Sequence, residues 1–168
     1  MTSAVNGWPP IALHNAQHTT VRNLTLQGPA WELVRATGGH HITLSENTLR
    51  WASFAAITLD DGGVAGTQHM RIERNLITQT ACGVYLIAMH TWQNSNDLYC
   101  GHNRFIDIDT EDFYGNGDTH AIGIQGGSRN LFDHNIIDGA GGSGITFYQG
   151  PDNENGTPPQ EMHDNVVR

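Results

Sequence analysis

Two neighbouring aspartates, Asp60 and Asp61, follow an apolar run and precede Gly62 and Gly63; farther along, Asp118 and His120 flank a threonine. Carboxyl groups placed across one bond can hydrolyse a glycoside: one, protonated, donates to the leaving oxygen while the other activates water or attacks, and their separation decides inversion or retention. Asp118 beside His120 would supply an acid tuned by an imidazole. His90, Trp92, Gln125, Tyr148 and Gln149 could then bind the sugar, with Trp92, Phe113, Tyr114 and Tyr148 as aromatic platforms. The plain alternatives are a turn for Asp60 to Gly63, because Asp and Gly suit turns, and packing of loop on coil for the aromatics. Asp109, Glu111, Asp112 and Asp118 make an acidic loop that could offer calcium its oxygen ligands, or simply be solvated; it has the spacing of no defined calcium loop. The ten histidines contain no HxH or HExxH, so no linear zinc signature exists. No cofactor is expected beyond that calcium candidate.

The elements that must position these residues are short strands in a repeat. The segment 119–150 reads as an apolar strand, a glycine corner, a strand ending in Asn135, a third strand (Ile136, Ile137), a second glycine corner, and then the first strand again. Asparagines in equivalent places, Asn23, Asn47, Asn75, Asn103, Asn135 and Asn165, are spaced by 24, 28, 28, 32 and 30 residues. A second column sets two apolar residues around one outward position: Ile57 and Leu59, Val84 and Leu86, Ile122 and Ile124, Ile145 and Phe147. Periods of this length with two or three strands and no helix predict an all-β solenoid, a parallel β-helix of about five to six coils with an internal asparagine ladder. The alignment puts Asp60 beside Ile87, Gln125 and Tyr148, and His120 beside Ala55, Cys82 and Ser143. Loops leave the repeat at 60–68, 90–97, 109–119 and 151–159. On this reading Asp60, Asp61, His90, Asp118, His120, Gln125, Tyr148 and Gln149 converge on one cleft.

These residues resemble the right-handed parallel β-helix superfamily of pectate lyases and polygalacturonases, over nearly all of the chain from about Ile11 to Arg168. The resemblance implies a carbohydrate-active protein, a polysaccharide or oligosaccharide partner, and an extracellular or periplasmic setting. The Asp60 and Asp61 pair resembles the adjacent aspartates of polygalacturonase-like hydrolases, while the Gly-His-Gly and Arg-Ile-Lys signatures of that group are absent. A polysaccharide lyase, which eliminates across a uronate with calcium and an Arg or Lys base, is the rival. Lysine is absent, and Arg22, Arg71, Arg74, Arg104 and Arg129 fall on ladder strands or corners. A binding or structural solenoid is the non-catalytic alternative.

A formal charge of −9, from eight arginines and 17 acidic residues, argues against nucleic acid and favours neutral or weakly charged partners. No apolar run approaches a membrane span. Residues 1–168 read as one domain, a segment of a longer repeat protein, because the final HDNVVR stops in mid-coil; uncapped coil ends would allow end-to-end self-association. Cys82 and Cys100 read as small buried residues, with a disulfide between them undecided.

Overall fold

The structure, a computed structural model, describes residues 8–60, 67–87, 96–108, 119–148 and 162–168. Its strands, numbered in chain order, fall into three parallel sheets. The first holds β1 (Ile11–His14), β4 (Glu32–Thr37), β7 (Ala55–Asp60), β10 (Cys82–Ile87), β13 (His120–Gln125) and β16 (Ser143–Tyr148). The second holds β2 (Thr20–Arg22), β5 (Thr43–Ser45), β8 (Arg71–Glu73), β11 (Tyr99–Gly101), β14 (Leu131–Asp133) and β17 (Val166–Val167). The third holds β3 (Thr25–Gln27), β6 (Thr48–Arg50), β9 (Leu76–Thr78), β12 (Arg104–Ile108) and β15 (Ile136–Ala140). Each strand pairs with the strand three places on, so each of the first five coils contributes one strand to each sheet, and β16 and β17 begin a sixth. This is a parallel β-helix.

Register follows the apolar columns. Val34, Ile57, Val84, Ile122 and Ile145 align across the first sheet, and Leu44, Ile72, Cys100 and Phe132 across the second. Their side chains meet in one continuous core with Leu49, Ile77 and Phe105 from the third sheet. Stacking like on like in a parallel sheet gives each coil the same inward face, so the core extends along the axis instead of closing on itself.

At the corner between the second and third sheets runs the asparagine ladder. Asn47, Asn75 and Asn103 each donate from Nδ2 to the Oδ1 of the asparagine one coil on, at 3.0, 3.0 and 3.1 Å. Each Oδ1 also accepts a backbone N–H of the preceding coil, and the amide reaches back to a carbonyl there: Asn75 to Leu44 at 2.9 Å, Asn103 to Ile72 at 2.9 Å. The amides thus satisfy buried corner groups that the sheets leave unpaired.

Two members expected in the ladder lie elsewhere. Leu24, not Asn23, occupies the ladder position of the first coil, and its N–H donates to Asn47 Oδ1 at 3.1 Å. Asn23 stands one residue earlier, with Glu46, Arg74, His102 and His134, in a column of left-handed residues (φ 50° to 58°) that Asn tolerates well. Asn165 belongs to a second, shorter ladder at the corner before the second sheet, where its Oδ1 accepts from Asn130 N–H at 3.0 Å and Asn130 Oδ1 from Leu98 N–H at 2.9 Å.

Cys100 is in the core and Cys82 is not: Cys82 packs outside the first sheet with Ala55, Phe54 and Tyr85. Both are free thiols, and burial pushes the Cys100 thiol up to about 12.

Candidate active site

The outer face of the first sheet carries polar side chains that are buried although they point away from the core. Asp60, at the end of β7, is 4% exposed, and Glu32, at the start of β4, is 3% exposed. Between them Arg35 spans both carboxylates, one guanidinium nitrogen lying 3.4 Å from Glu32 Oε2 and the other in close contact with Asp60 Oδ2. Register explains the grouping. Thr37 pairs with Asp60, so Arg35 sits one outward position back and one strand over, within reach of both ends. Burial works against the Arg35 charge, but the hydrogen bond to Asp60 and the charges of Glu32 and Asp60 outweigh it and hold its pKa above the ordinary value.

Arg35 also borders a cavity of about 320 Å³ lined by Trp8, Pro9, Ala12, His14 and Thr37. Trp8 is 86% exposed. Thr37 Oγ1 is buried with no hydrogen-bond partner among the described residues. One ionic centre, one open aromatic face and one unused hydroxyl therefore meet at the edge of the first two coils.

A second polar centre occupies the other end of the same face. His120 Nδ1 lies 2.7 Å from Ser143 Oγ and 3.1 Å from Thr146 Oγ1, the two hydroxyls themselves in close contact. Tyr85 stacks on the His120 ring at 6.3 Å, and its hydroxyl accepts a hydrogen bond from Gln125 Nε2 at 3.2 Å. Gly123 makes that stack possible, since a Cβ there would meet Tyr85 Cδ2 at 2.6 Å and His120 Cδ2 at 2.9 Å. Joining the two centres is a row of rings, Trp31 on Phe54 at 5.0 Å and Phe54 edge-on to Tyr85 at 5.4 Å.

Of the residues expected in one cleft, Asp60 falls in the first centre and His120 in the second, and these two do not meet. Gln125 shares the register position of Asp60 two strands over, about 10 Å away, while its side chain bonds to Tyr85. His120 lies two coils and five strand positions from Asp60, about 10 Å across the sheet and up to about 16 Å along it. The backbone of Tyr148 pairs with Gln125, as the alignment predicts. Asp61, His90, Trp92, Asp109, Glu111, Asp112, Asp118 and Gln149 lie outside the described residues. Glu32, Arg35 and Trp8 carry no sequence flag; Arg22, Arg71, Arg74, Arg104 and Arg129 lie on ladder strands or corners as expected, and Arg35 alone of these six arginines stands on the first sheet. The legible signal for it was the return strand 31–37, whose outward position aligns with Thr58 and Tyr85.

Histidines gather at the corner before the second sheet. His18, His41 and His69 occupy equivalent left-handed positions (φ 49°, 56° and 52°) in successive coils, each ring 4.9 Å from the next. His41 is held below the ordinary histidine range, by loss of hydration first and then by the charges of His69, His18 and His40. Below this stack Asp97 takes two hydrogen bonds of 2.8 Å from Arg129, which hold its carboxyl below the usual range.

The three parallel sheets and the repeating coil define a β-helix protein, and the family model described as a right handed beta helix region matches residues 10–157. The chain belongs to that family. No curated protein and no solved structure matches it.

Proposed function

We propose that the chain is a glycoside hydrolase that binds a polysaccharide across the outer face of the first sheet and cleaves it with Asp60 and Glu32. The observation that carries this reading is the grip of two buried carboxyl groups, on neighbouring strands, on one guanidinium at the mouth of the Trp8 cavity. Hydrolysis needs a pair of carboxyl groups, and Arg35, which borders the cavity, holds Asp60 and Glu32 next to it. Trp8 offers a flat apolar face to a pyranose ring, and the Thr37 hydroxyl and His14 offer hydrogen bonds to its oxygens. Sugar docking that draws Arg35 toward the cavity would release one carboxyl to carry the proton while the other remains paired.

The same geometry weighs against β-elimination. An arginine base must lose a proton to accept one, and Arg35 is held more firmly protonated than a free arginine. With two carboxyls against one guanidinium, the centre also leaves no unpaired cation for a uronate. A neutral or weakly charged glycan fits both this balance and the formal charge of −9.

Incubation of the protein with a panel of neutral and acidic polysaccharides, followed by mass spectrometry of the soluble products, tests this. Fragments that have gained water, and that are lost with Asp60→Asn or Glu32→Gln, support hydrolysis. Unsaturated fragments would convert the reading to a lyase, and glycan binding without products to a binding module.

A further inference from the structure

We propose that His18, His40 and His41 form a binding site for one divalent transition-metal ion of the zinc, copper or nickel type, at the corner joining the first and second coils. One ring nitrogen from each residue can be chosen so that all three lie within 4.8 Å of one another. His40 Nδ1 and His41 Nδ1 are 2.9 Å apart, and the His18 ring stacks on His41. Three imidazoles around a tetrahedral ion at about 2.0–2.1 Å place their nitrogens roughly 3.3–3.4 Å apart, so side-chain rotations that shift the nitrogens by up to roughly 1.5 Å bring the set into place. The fourth position faces solvent and would hold water. All-nitrogen ligation suits zinc, copper and nickel and fits calcium and magnesium poorly.

The backbone holds these residues in place. His40 N–H donates to the Ala16 carbonyl at 3.0 Å and His18 N–H to the His40 carbonyl at 3.2 Å, so both histidine-bearing turns are fixed to each other. Gly39 lets them close, because a Cβ there would sit 2.3 Å from Ala16 O. His69 continues the stack on His41 and lies 3.9 Å from Asp97, fixing the His41 ring from the far side. A second cluster, His102, Asp133 and His134, serves as the internal contrast. There Asp133 Oδ1 is already taken by His134 at 2.6 Å and Arg168 at 3.0 Å.

The test is calorimetric titration of the untagged chain with zinc chloride, with copper(II) electron paramagnetic resonance as the ligand count. Saturable uptake of one zinc per chain is expected, with nitrogen hyperfine structure from imidazoles on copper. Uptake should be lost in each of His18→Gln, His40→Gln and His41→Gln, all with unchanged circular dichroism, and kept in His134→Gln. Absence of saturable zinc uptake, uptake that survives His41→Gln, or uptake that disappears in His134→Gln would each overturn the proposal.

Discussion

The two polar centres on the outer face of the first sheet share a fold position and differ in chemistry. The Glu32, Arg35 and Asp60 centre is ionic, with two buried carboxylates against a partly exposed guanidinium that borders a cavity. The His120, Ser143 and Thr146 centre is built of hydroxyls and an imidazole closed beneath Tyr85. In a solenoid a strand column places residues on one face, but only neighbouring coils and neighbouring outward positions bring them into contact. Belonging to the same face is therefore a weaker condition than belonging to the same site.

The largest expected contrast is in activity. Asp60→Asn or Glu32→Gln should lower glycan cleavage by roughly a hundred- to ten-thousand-fold, the range for removing an acid or base. His120→Ala should leave the rate within a few-fold. Equal losses at both centres, read from initial rates of product formation, would merge them again into one site.

Stability distinguishes the outer face from the interior. Asn75→Ala removes the acceptor for Asn47 N–H and the donor to the Leu44 carbonyl, both buried. Denaturant unfolding should show a loss of about 3 kcal/mol, the cost of orphaning two such groups. Gly123→Ala forces a Cβ against Tyr85 and His120 and should cost about 1–3 kcal/mol by overpacking. It should spare cleavage at Asp60, which makes it the cleanest separation of the two centres. Ser143→Ala, which removes one hydroxyl partner of His120, should cost about 1 kcal/mol in the same assay.

The smallest effect concerns the corner. The folded Asp97 carboxyl is depressed by Arg129, so its contribution is present above the unfolded aspartate value and is lost as pH falls through the folded one. Asp97→Asn should therefore be less stable than the parent at neutral pH, and the two unfolding curves should converge under acid conditions. Curves that stay parallel at every pH would remove that ion pair from the account.

Much of the architecture was legible because strand alternation and corner residues repeat together. The alignment of Ile57 with Val84 and Ile122, and of Asp60 with Ile87, follows from counting two-residue steps between glycines. Asn23 misled because a left-handed corner and an internal ladder both favour asparagine and lie one residue apart. Glu32 and Arg35 resemble any solvated pair along a strand; only the register with Asp60 turns them into a buried centre. The three corner histidines were hidden for another reason. Metal signatures are read along one turn or helix, whereas His18 and His41 meet across coils, 23 residues apart.

The most direct measurement of the central claim is where a sugar contacts the folded chain. Nuclear magnetic resonance spectra recorded while titrating short neutral oligosaccharides should show the Trp8 indole N–H, His14 and the Arg35 guanidinium shifting together. The His120 and Thr146 signals should move less or not at all. Shifts centred on His120, with Trp8 and Arg35 unmoved by every saturating sugar, would contradict the assignment of the active site to Glu32, Arg35 and Asp60.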